Sequence, residues 1–229
     1  MNTRTNPITA YAALMLATVF IPAAWANLLV DPSFEFNPLD TASNVINNFA
    51  TYQGIWGVEN ATITGAENGV TPSAGTKMLR MLDDGLVTTQ GFQVTDVTSY
   101  AGLIDSGAGT VNLSALFNVD KAVPAAKSAV YVQFFSAANY GSQIGSYIGG
   151  ALNLDNSDTT WEAASVSGAI PVGTRWLLSQ VAYNNASLMG IDGVSHPGYV
   201  DAAELTVTPE PATLAPLGLG GLVLLRRRR

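Results

Sequence analysis

The sequence predicts an all-β fold, a two-sheet sandwich of antiparallel strands, on three observations. Only 12% of the 229 residues are charged, while the chain has 22 glycines and 11 prolines, a composition typical of short strands joined by turns. Stretches of alternating apolar and polar residues recur at short intervals. Neither a long amphipathic helix nor an internal repeat is evident, which argues against helical bundles and α/β folds.

The predicted strands follow one another through the middle and last parts of the chain. Residues 111–119, VNLSALFNV, alternate with period two except at Leu116, as expected of a strand with one face on the core. Residues 97–104 predict a short turn of helix. About eight strands in roughly 180 residues fit a sandwich. The other predicted strands, each bounded by Gly, Asn, Asp or Pro, are residues 77–82, 92–97, 129–136, 175–183 and 199–207.

The first 26 residues predict a cleaved export signal. A basic start at Arg4 precedes an apolar run at 8–21, and Ala24 and Ala26 supply the small residues that signal peptidase requires. The run is shorter than the roughly 20 residues of a membrane-spanning helix, although an uncleaved anchor is the alternative. We therefore expect passage through the export machinery, cleavage after Ala26 and a mature chain that begins at Asn27.

The exported part is acidic and contains no cysteine. Residues 27–208 carry five basic and sixteen acidic side chains. This charge repels phosphate backbones and anionic headgroups, which argues against nucleic-acid partners. Without cysteine the chain forms no disulfide even in an oxidising compartment, so its stability must come from its core and from any metal ion that it binds.

Few residues suited to catalysis are present. His196 is the only histidine, and its turn-rich surroundings, GVSHPG, favour a solvated loop residue over a member of a catalytic triad. A closed zinc site needs more His or Cys ligands than this chain has, and no phosphate-binding glycine loop occurs. Paired carboxylates for glycoside hydrolysis stay open, since sixteen acids always offer some pair. The sequence predicts a non-catalytic protein, with a secreted polysaccharide-active enzyme as the alternative.

Three short segments mark both ends and the second half of the predicted sandwich. They are NLLVDPSFE at 27–35, Trp161 followed by PVGT at 171–174, and PGYVDAAELTV at 197–207. Together they resemble secreted jelly-roll domains of the galactose-binding-like, carbohydrate-binding-module type. The resemblance implies a jelly-roll domain over residues 27–208 that binds glycan.

The same resemblance implies a structural calcium ion. In such domains a Glu of the first strand and an Asp of the last strand bind this ion, and here those residues are Glu35 and Asp201. Carboxylates are ligands that calcium prefers, but it needs six or more oxygens. The second Asp of the usual pair is Ala202, so backbone carbonyls would have to complete the shell. Two solvated strand carboxylates are the alternative.

A glycan site needs aromatic rings that solvent can reach, because the C–H groups of a sugar stack on ring faces. Trp56, between the glycines of QGIWG, is predicted to lie in an exposed loop and is the main candidate for glycan contact. Core or interface packing is the alternative, since Trp is highly buried on average. Trp161 and Trp176 are predicted to lie in the core. The weaker candidates for glycan contact are Tyr140, Tyr147 and Tyr183.

Residues 209–229 form a tail of three parts: Pro209, Glu210 and Pro211, then an apolar run at 212–225, then four arginines. As a helix the run would span about 21 Å, short of the roughly 30 Å of a bilayer core. This pattern closely resembles the PEP-CTERM sorting signal of Gram-negative bacteria that make exopolysaccharide. The basic residues are Arg226, Arg227, Arg228 and Arg229.

The sorting-signal resemblance implies recognition by an exosortase, a membrane-embedded cysteine transpeptidase, with cleavage near Pro-Glu-Pro. The protein would be anchored transiently at the inner membrane and then delivered to the cell surface or extracellular matrix; a permanent anchor is the alternative. We therefore expect an exported, non-catalytic protein whose jelly roll binds exopolysaccharide, another glycan or a matrix component. A structural exoprotein without a specific ligand is a further alternative.

Overall fold

The computed structural model describes residues 25–36, 39, 49–82, 89–184 and 187–210. Ala24, Pro211 and the four terminal arginines therefore lie outside the described residues. No helix within the described ranges is long and apolar enough to cross a membrane.

Ten strands form two five-stranded sheets over the described residues, and every pairing between these strands is antiparallel. The strands are β1 (Gly57–Glu59), β2 (Ala61–Thr64), β3 (Met78–Met81), β4 (Thr89–Asp96), β5 (Gly109–Val119), β6 (Lys127–Phe135), β7 (Ile148–Asn153), β8 (Glu162–Ala169), β9 (Trp176–Tyr183) and β10 (Gly198–Pro209).

Sheet A has the strand order β1-β4-β9-β6-β7, and sheet B has the order β2-β3-β10-β5-β8. Between β4 and β10 the chain changes sheet at every connection except β6 to β7, as in a jelly roll. The prediction of an all-β, two-sheet jelly-roll sandwich is confirmed. The predicted helical turn is also present, as a 3₁₀ turn at Thr98–Tyr100 that continues into helix α1 (Ala101–Asp105).

The segment predicted as the first strand, residues 27–35, forms no regular strand. It nevertheless lies beside β10, because the Leu28 N–H donates to the Leu205 carbonyl at 2.9 Å and the Ala203 N–H donates to the Pro32 carbonyl at 2.9 Å. The N-terminal segment is thus tied to the closing strand by hydrogen bonds without adding a full strand to sheet B.

The core fills the space between the two sheets. Alternate residues of each strand point inward, so that Phe134 and Val181 of sheet A pack in one cluster with Phe117 and Leu205 of sheet B. At one side the sheets nearly touch, at Gly150 of β7. A Cβ there would lie 2.8 Å from the carbonyl carbon of Ser165 in β8. Only glycine lets these two edge strands approach so closely.

Candidate functional site

Trp56 is buried, so the prediction that it is exposed is wrong. Its side chain is 2% exposed and its indole N–H donates to the Asp31 carbonyl at 3.0 Å. The Phe34 ring packs against it with centroids 5.0 Å apart. The adjacent Gly57 leaves room for another ring, because a Cβ there would lie 2.6 Å from Tyr52 Cε1. This glycine therefore indicates close packing rather than an open loop, and Trp56 presents no free ring face to a sugar.

The outer face of sheet A is divided into a covered half and an open half. A 3₁₀ turn at Phe49–Tyr52 covers one half with a second apolar cluster. The open half carries a hollow of about 170 Å³. We call it the tyrosine hollow, and its lining residues are Tyr131, Gln133, Tyr147 and Gln180.

Strand register brings these side chains together. Tyr131 of β6 lies directly opposite Gln180 of β9, and Gln133 is two residues further along β6 on the same face. Tyr147 immediately precedes β7, the edge strand next to β6. Side chains that are distant in sequence thus meet on one surface of three neighbouring strands.

The two tyrosine rings of the hollow are nearly perpendicular. Their centroids are 5.8 Å apart and their planes form an angle of 79°. Tyr147 is 60% exposed, and Tyr131 is half-buried. The ring of Tyr131 lies over Gly149, where a Cβ would come within 2.7 Å of Tyr131 Cε1. The missing side chain at Gly149 therefore makes the space in which this ring rests.

A chain of polar side chains leads away from the hollow across β9, β4 and β1. The side-chain N–H of Gln180 donates to the side-chain amide oxygen of Gln90, and the Gln90 side-chain N–H donates to a Glu59 carboxylate oxygen. Gln90 and Glu59 face each other in the β1–β4 ladder. All three side chains are partly accessible to solvent. Sequence reasoning missed this chain and Tyr131, because nothing local distinguishes these residues from others in strands.

The other predicted aromatic candidates divide between surface and core. Tyr183 is buried, burial raises the pKa of its phenol, and its hydroxyl accepts from the Tyr199 N–H at 3.1 Å, so it is no glycan contact. Tyr140 is half-buried and packs against Phe135 with ring centroids 5.6 Å apart. Trp161 and Trp176 were predicted to lie in the core, but both are only partly buried. Trp176 packs against the second apolar cluster on the outer face of sheet A, and Trp161 packs against a small separate cluster that includes Tyr199.

The outer face of sheet B carries a larger hollow, of about 340 Å³. Its lining is mostly small and polar, from β5, β8 and β10, and none of the lining residues is aromatic. Several of these polar groups bond to one another, as Ser167 Oγ does to Asn112 Oδ1 at 2.7 Å. The lining residues are Asn112, Leu113, Ser114, Ser165, Val166, Ser167, Glu204 and Thr206.

Glu35 and Asp201, the predicted calcium ligands, hold the same loop. Glu35 Oε1 accepts from the backbone N–H groups of Thr76 and Lys77, each at 2.8 Å. A β-bulge at Ala202 interrupts the pairing of β10 directly after Asp201. The Asp201 carboxylate accepts from the Ala74 N–H at 2.8 Å and from the Ala202 N–H at 2.7 Å. Both carboxylates thus bind the loop of residues 74–77 through its backbone.

The ionisation of these two carboxylates differs. Hydrogen bonds from the Lys77 and Thr76 N–H groups lower the pKa of Glu35. Burial raises the pKa of Asp201, and the negative charge of Glu35 contributes to the rise. Their oxygens suit calcium by type. No cluster of three or more Asp, Glu, His or Cys side chains suited to a metal occurs in the described part of the chain. Calcium between Glu35 and Asp201 stays a prediction.

His196 lies between two carboxylates. Its Nε2 is 3.1 Å from Asp192 Oδ2, and its Nδ1 is 3.7 Å from Asp120 Oδ2. A catalytic triad instead sets the imidazole between one carboxylate and a nucleophilic hydroxyl. The arrangement therefore fits a histidine that stabilises its loop rather than a general base that activates a nucleophile.

The sandwich continues into the first residues of the predicted sorting motif. Pro209 is the last residue of β10 and pairs with Gly109, and the Glu210 N–H donates to the Ala108 carbonyl at 2.8 Å. Thr208, the predicted last residue of the domain, therefore lies within a strand.

Comparison with protein-family models gives no match, and neither does comparison with curated proteins. Among solved structures, the chain is similar to TmCBM61 in complex with β-1,4-galactotriose, with 16% identity and a TM-score of 0.48 over 81% of this chain and 99% of that chain. It is also similar to the CBM22-2 xylan-binding domain of Paenibacillus barcinonensis Xyn10C, with 16% identity and a TM-score of 0.46 over 70% and 96% of the two chains. Both are carbohydrate-binding modules. The function proposed for this chain rests on its own side chains.

Proposed function

We propose that this chain is an exported, non-catalytic glycan-binding protein and that the tyrosine hollow is its binding site. The observation that carries the proposal is the pair of perpendicular, solvent-accessible rings of Tyr131 and Tyr147 beside the amides of Gln133 and Gln180. A sugar ring has an apolar C–H face and a rim of hydroxyls. Tyrosine faces suit the first, and amides, which both donate and accept, suit the second.

The size and shape of the hollow favour one sugar unit of a longer chain. Its volume of about 170 Å³ is below the roughly 300–1,000 Å³ of pockets that enclose drug-sized ligands. Two perpendicular rings do not make the flat platform that a crystalline polysaccharide surface would need. We therefore propose that the ligand is a single soluble glycan chain of the surrounding matrix, held at one residue.

Alanine substitution in the hollow tests this function. Isothermal titration with soluble gluco-, xylo- and galacto-oligosaccharides should show binding by the wild type, and Tyr131→Ala or Tyr147→Ala should weaken it by about 30-fold, the loss of about 2 kcal/mol typical of an aromatic anchor. Ser165→Ala, in the sheet B hollow, is the matched control and should bind like the wild type. Equal affinity in the tyrosine variants would refute the site, and release of reducing ends from polysaccharide would favour an enzyme.

Export and exosortase processing form the second part of the proposal. The supporting feature is the PEP-CTERM-like tail, whose Pro209 and Glu210 directly continue the closing strand. Mass spectrometry of the surface-exposed protein should find Asn27 at the amino end and a carboxyl end near Pro211. A surface form that retains Arg229 would contradict processing.

A further inference from the structure

The direction of the Glu59–Gln90–Gln180 chain determines what the tyrosine hollow presents to a ligand. An ionised carboxylate only accepts hydrogen bonds, whereas a glutamine amide has one accepting and one donating end. Glu59 therefore obliges Gln90 to turn its NH₂ group toward β1, which leaves the Gln90 oxygen facing β9. That oxygen in turn fixes the NH₂ group of Gln180. A single charge thus orients two amides in succession.

The orientation of Gln180 places an acceptor on the side of the hollow. Its strand, β9, lies between β4, which carries Gln90, and β6, which carries Tyr131. The nitrogen and oxygen of a planar amide diverge, so with the nitrogen directed to β4 the oxygen is directed to β6. Gln180 Oε1 accepts no hydrogen bond from any residue that the structure describes. A ligand in the hollow therefore meets an amide oxygen whose lone pairs no described residue uses.

We infer that Glu59 is a positioning residue that makes the hollow selective for neutral sugars with a free hydroxyl, and that it disfavours uronic acids. This inference rests on the proposed function. The C6 hydroxyl of a neutral hexose donates to Gln180 Oε1, whereas the carboxylate that replaces this hydroxyl in a uronate only accepts and would place oxygen against oxygen. The sixteen acidic side chains of residues 27–208 also disfavour uronates, because their negative charge repels a carboxylate over a longer range. Gln133 also lines the hollow, but no charged side chain among the described residues holds its amide, which can present either end.

Glu59→Gln tests the inference because it keeps the size of the side chain but replaces a carboxylate, which only accepts hydrogen bonds, with an amide that can also donate them. A glutamine can present either its oxygen or its NH₂ group to Gln90, so both amides can reverse and Gln180 can donate. The probes are β-1,4-linked tetrasaccharides of glucose and of galactose, each paired with its C6-oxidised uronate form, titrated against the full exported chain. The wild type should prefer the neutral member by about tenfold, the value of one hydrogen bond, and Glu59→Gln should reduce this ratio to about twofold.

Two further variants separate orientation from charge and from folding. Glu204→Gln removes the same charge from the outer face of sheet B and should change the ratio far less than Glu59→Gln does. Gln90→Leu interrupts the chain between Glu59 and Gln180 and should reduce the ratio as Glu59→Gln does, with thermal melting to confirm that each variant is folded. A wild-type ratio that survives Glu59→Gln, or that Glu204→Gln reduces equally, would overturn the inference while leaving glycan binding intact. A wild type that binds neither member of any pair would overturn the proposed function together with the inference.

Discussion

The outer faces of sheet A and sheet B are each built on five antiparallel strands, yet they carry different chemistry. Sheet B has the larger hollow, about 340 Å³ against about 170 Å³, but its lining is mostly of small polar side chains that bond to one another. Sheet A has two tyrosine rings and a charge-oriented pair of amides. The candidate site is thus distinguished by which groups converge on it rather than by the volume of its depression.

Adjacent glycines in β7 show how one strand serves the two sides of sheet A. Gly149 faces outward and makes room for the Tyr131 ring, while Gly150 faces inward and makes room for the backbone of β8 at Ser165. The first glycine therefore belongs to the candidate site and the second to the contact between the two sheets. The two positions allow stability and binding to be changed separately.

The largest expected effect distinguishes the interior from the surface. Trp56→Ala should lower the free energy of unfolding by about 3–5 kcal/mol, because it removes a fully packed indole. Tyr147→Ala, at a side chain that is 60% exposed, should change it by less than about 0.5 kcal/mol. Urea denaturation measures the loss of stability in both variants. Glycan titration well below the melting temperature should show the opposite order, with a larger loss of affinity in Tyr147→Ala than in Trp56→Ala. Loss of binding in a folded Trp56→Ala protein would mean that the indole has a role in the site.

The next effect separates the two glycines. Gly150→Ala should destabilise the fold by about 1–3 kcal/mol, since the added methyl group meets the backbone of Ser165, which cannot rotate away. Gly149→Ala should weaken glycan binding more than it lowers stability, because it displaces the Tyr131 ring. Gly102→Ala, in α1 with no atom of the described residues within 4 Å of the new methyl group, is the control. Equal losses of stability at positions 149 and 150 would show that β7 does not divide the roles in this way.

Much of the sandwich could be predicted from the sequence, because a half-buried strand alternates whatever its neighbours are. β5 and β9 were predicted nearly to their bounds. β7 and β8 were not among the strands whose bounds were predicted, since IGGALN and EAASVSGA are rich in Gly and Ala, whose β-propensity is low. Those strands form because edge positions beside β6 and β5 offer them backbone partners. Pairing of that kind is decided by the fold and leaves little trace in the local sequence.

The site was less predictable than the fold, for a related reason. Whether a ring is exposed depends on what the rest of the chain packs over it. The N-terminal segment places Phe34 against Trp56, whereas Tyr147, a weaker candidate from sequence, keeps an open face. The orientation of Gln180 depends on Gln90 and ultimately on Glu59, three residues on three different strands. No local pattern records such a chain.

A smaller effect concerns the two carboxylates that hold the loop of residues 74–77. We propose that calcium binds Glu35 and Asp201, and it should then stabilise the protein by about 1.4 kcal/mol when free calcium is about ten times its dissociation constant. The ion would relieve the cost of a buried Asp201 charge beside Glu35. Thermal melting with calcium and with chelator measures the effect, and Glu35→Gln should abolish it. An unchanged melting temperature under both conditions would remove calcium from these two carboxylates, while binding at the tyrosine hollow should not respond to calcium at all.

The smallest expected effect is a dependence of stability on acid that originates away from both hollows. Arg175, just before β9, donates to Asp105 at the end of α1 at 2.7 Å, and this bond, with the Gly173 N–H, lowers the pKa of Asp105. A lowered pKa in the folded state means that the contribution is present above the unfolded-state pKa of about 3.9 and is lost as the pH falls through the folded-state value. Asp105→Asn should therefore flatten the acid limb of the stability curve, measured by urea denaturation between pH 7 and pH 2. Identical acid limbs in the two proteins would show that the ion pair contributes nothing to stability. Glycan affinity at pH 7 should be the same in both proteins, because none of the four side chains that line the tyrosine hollow contacts this pair.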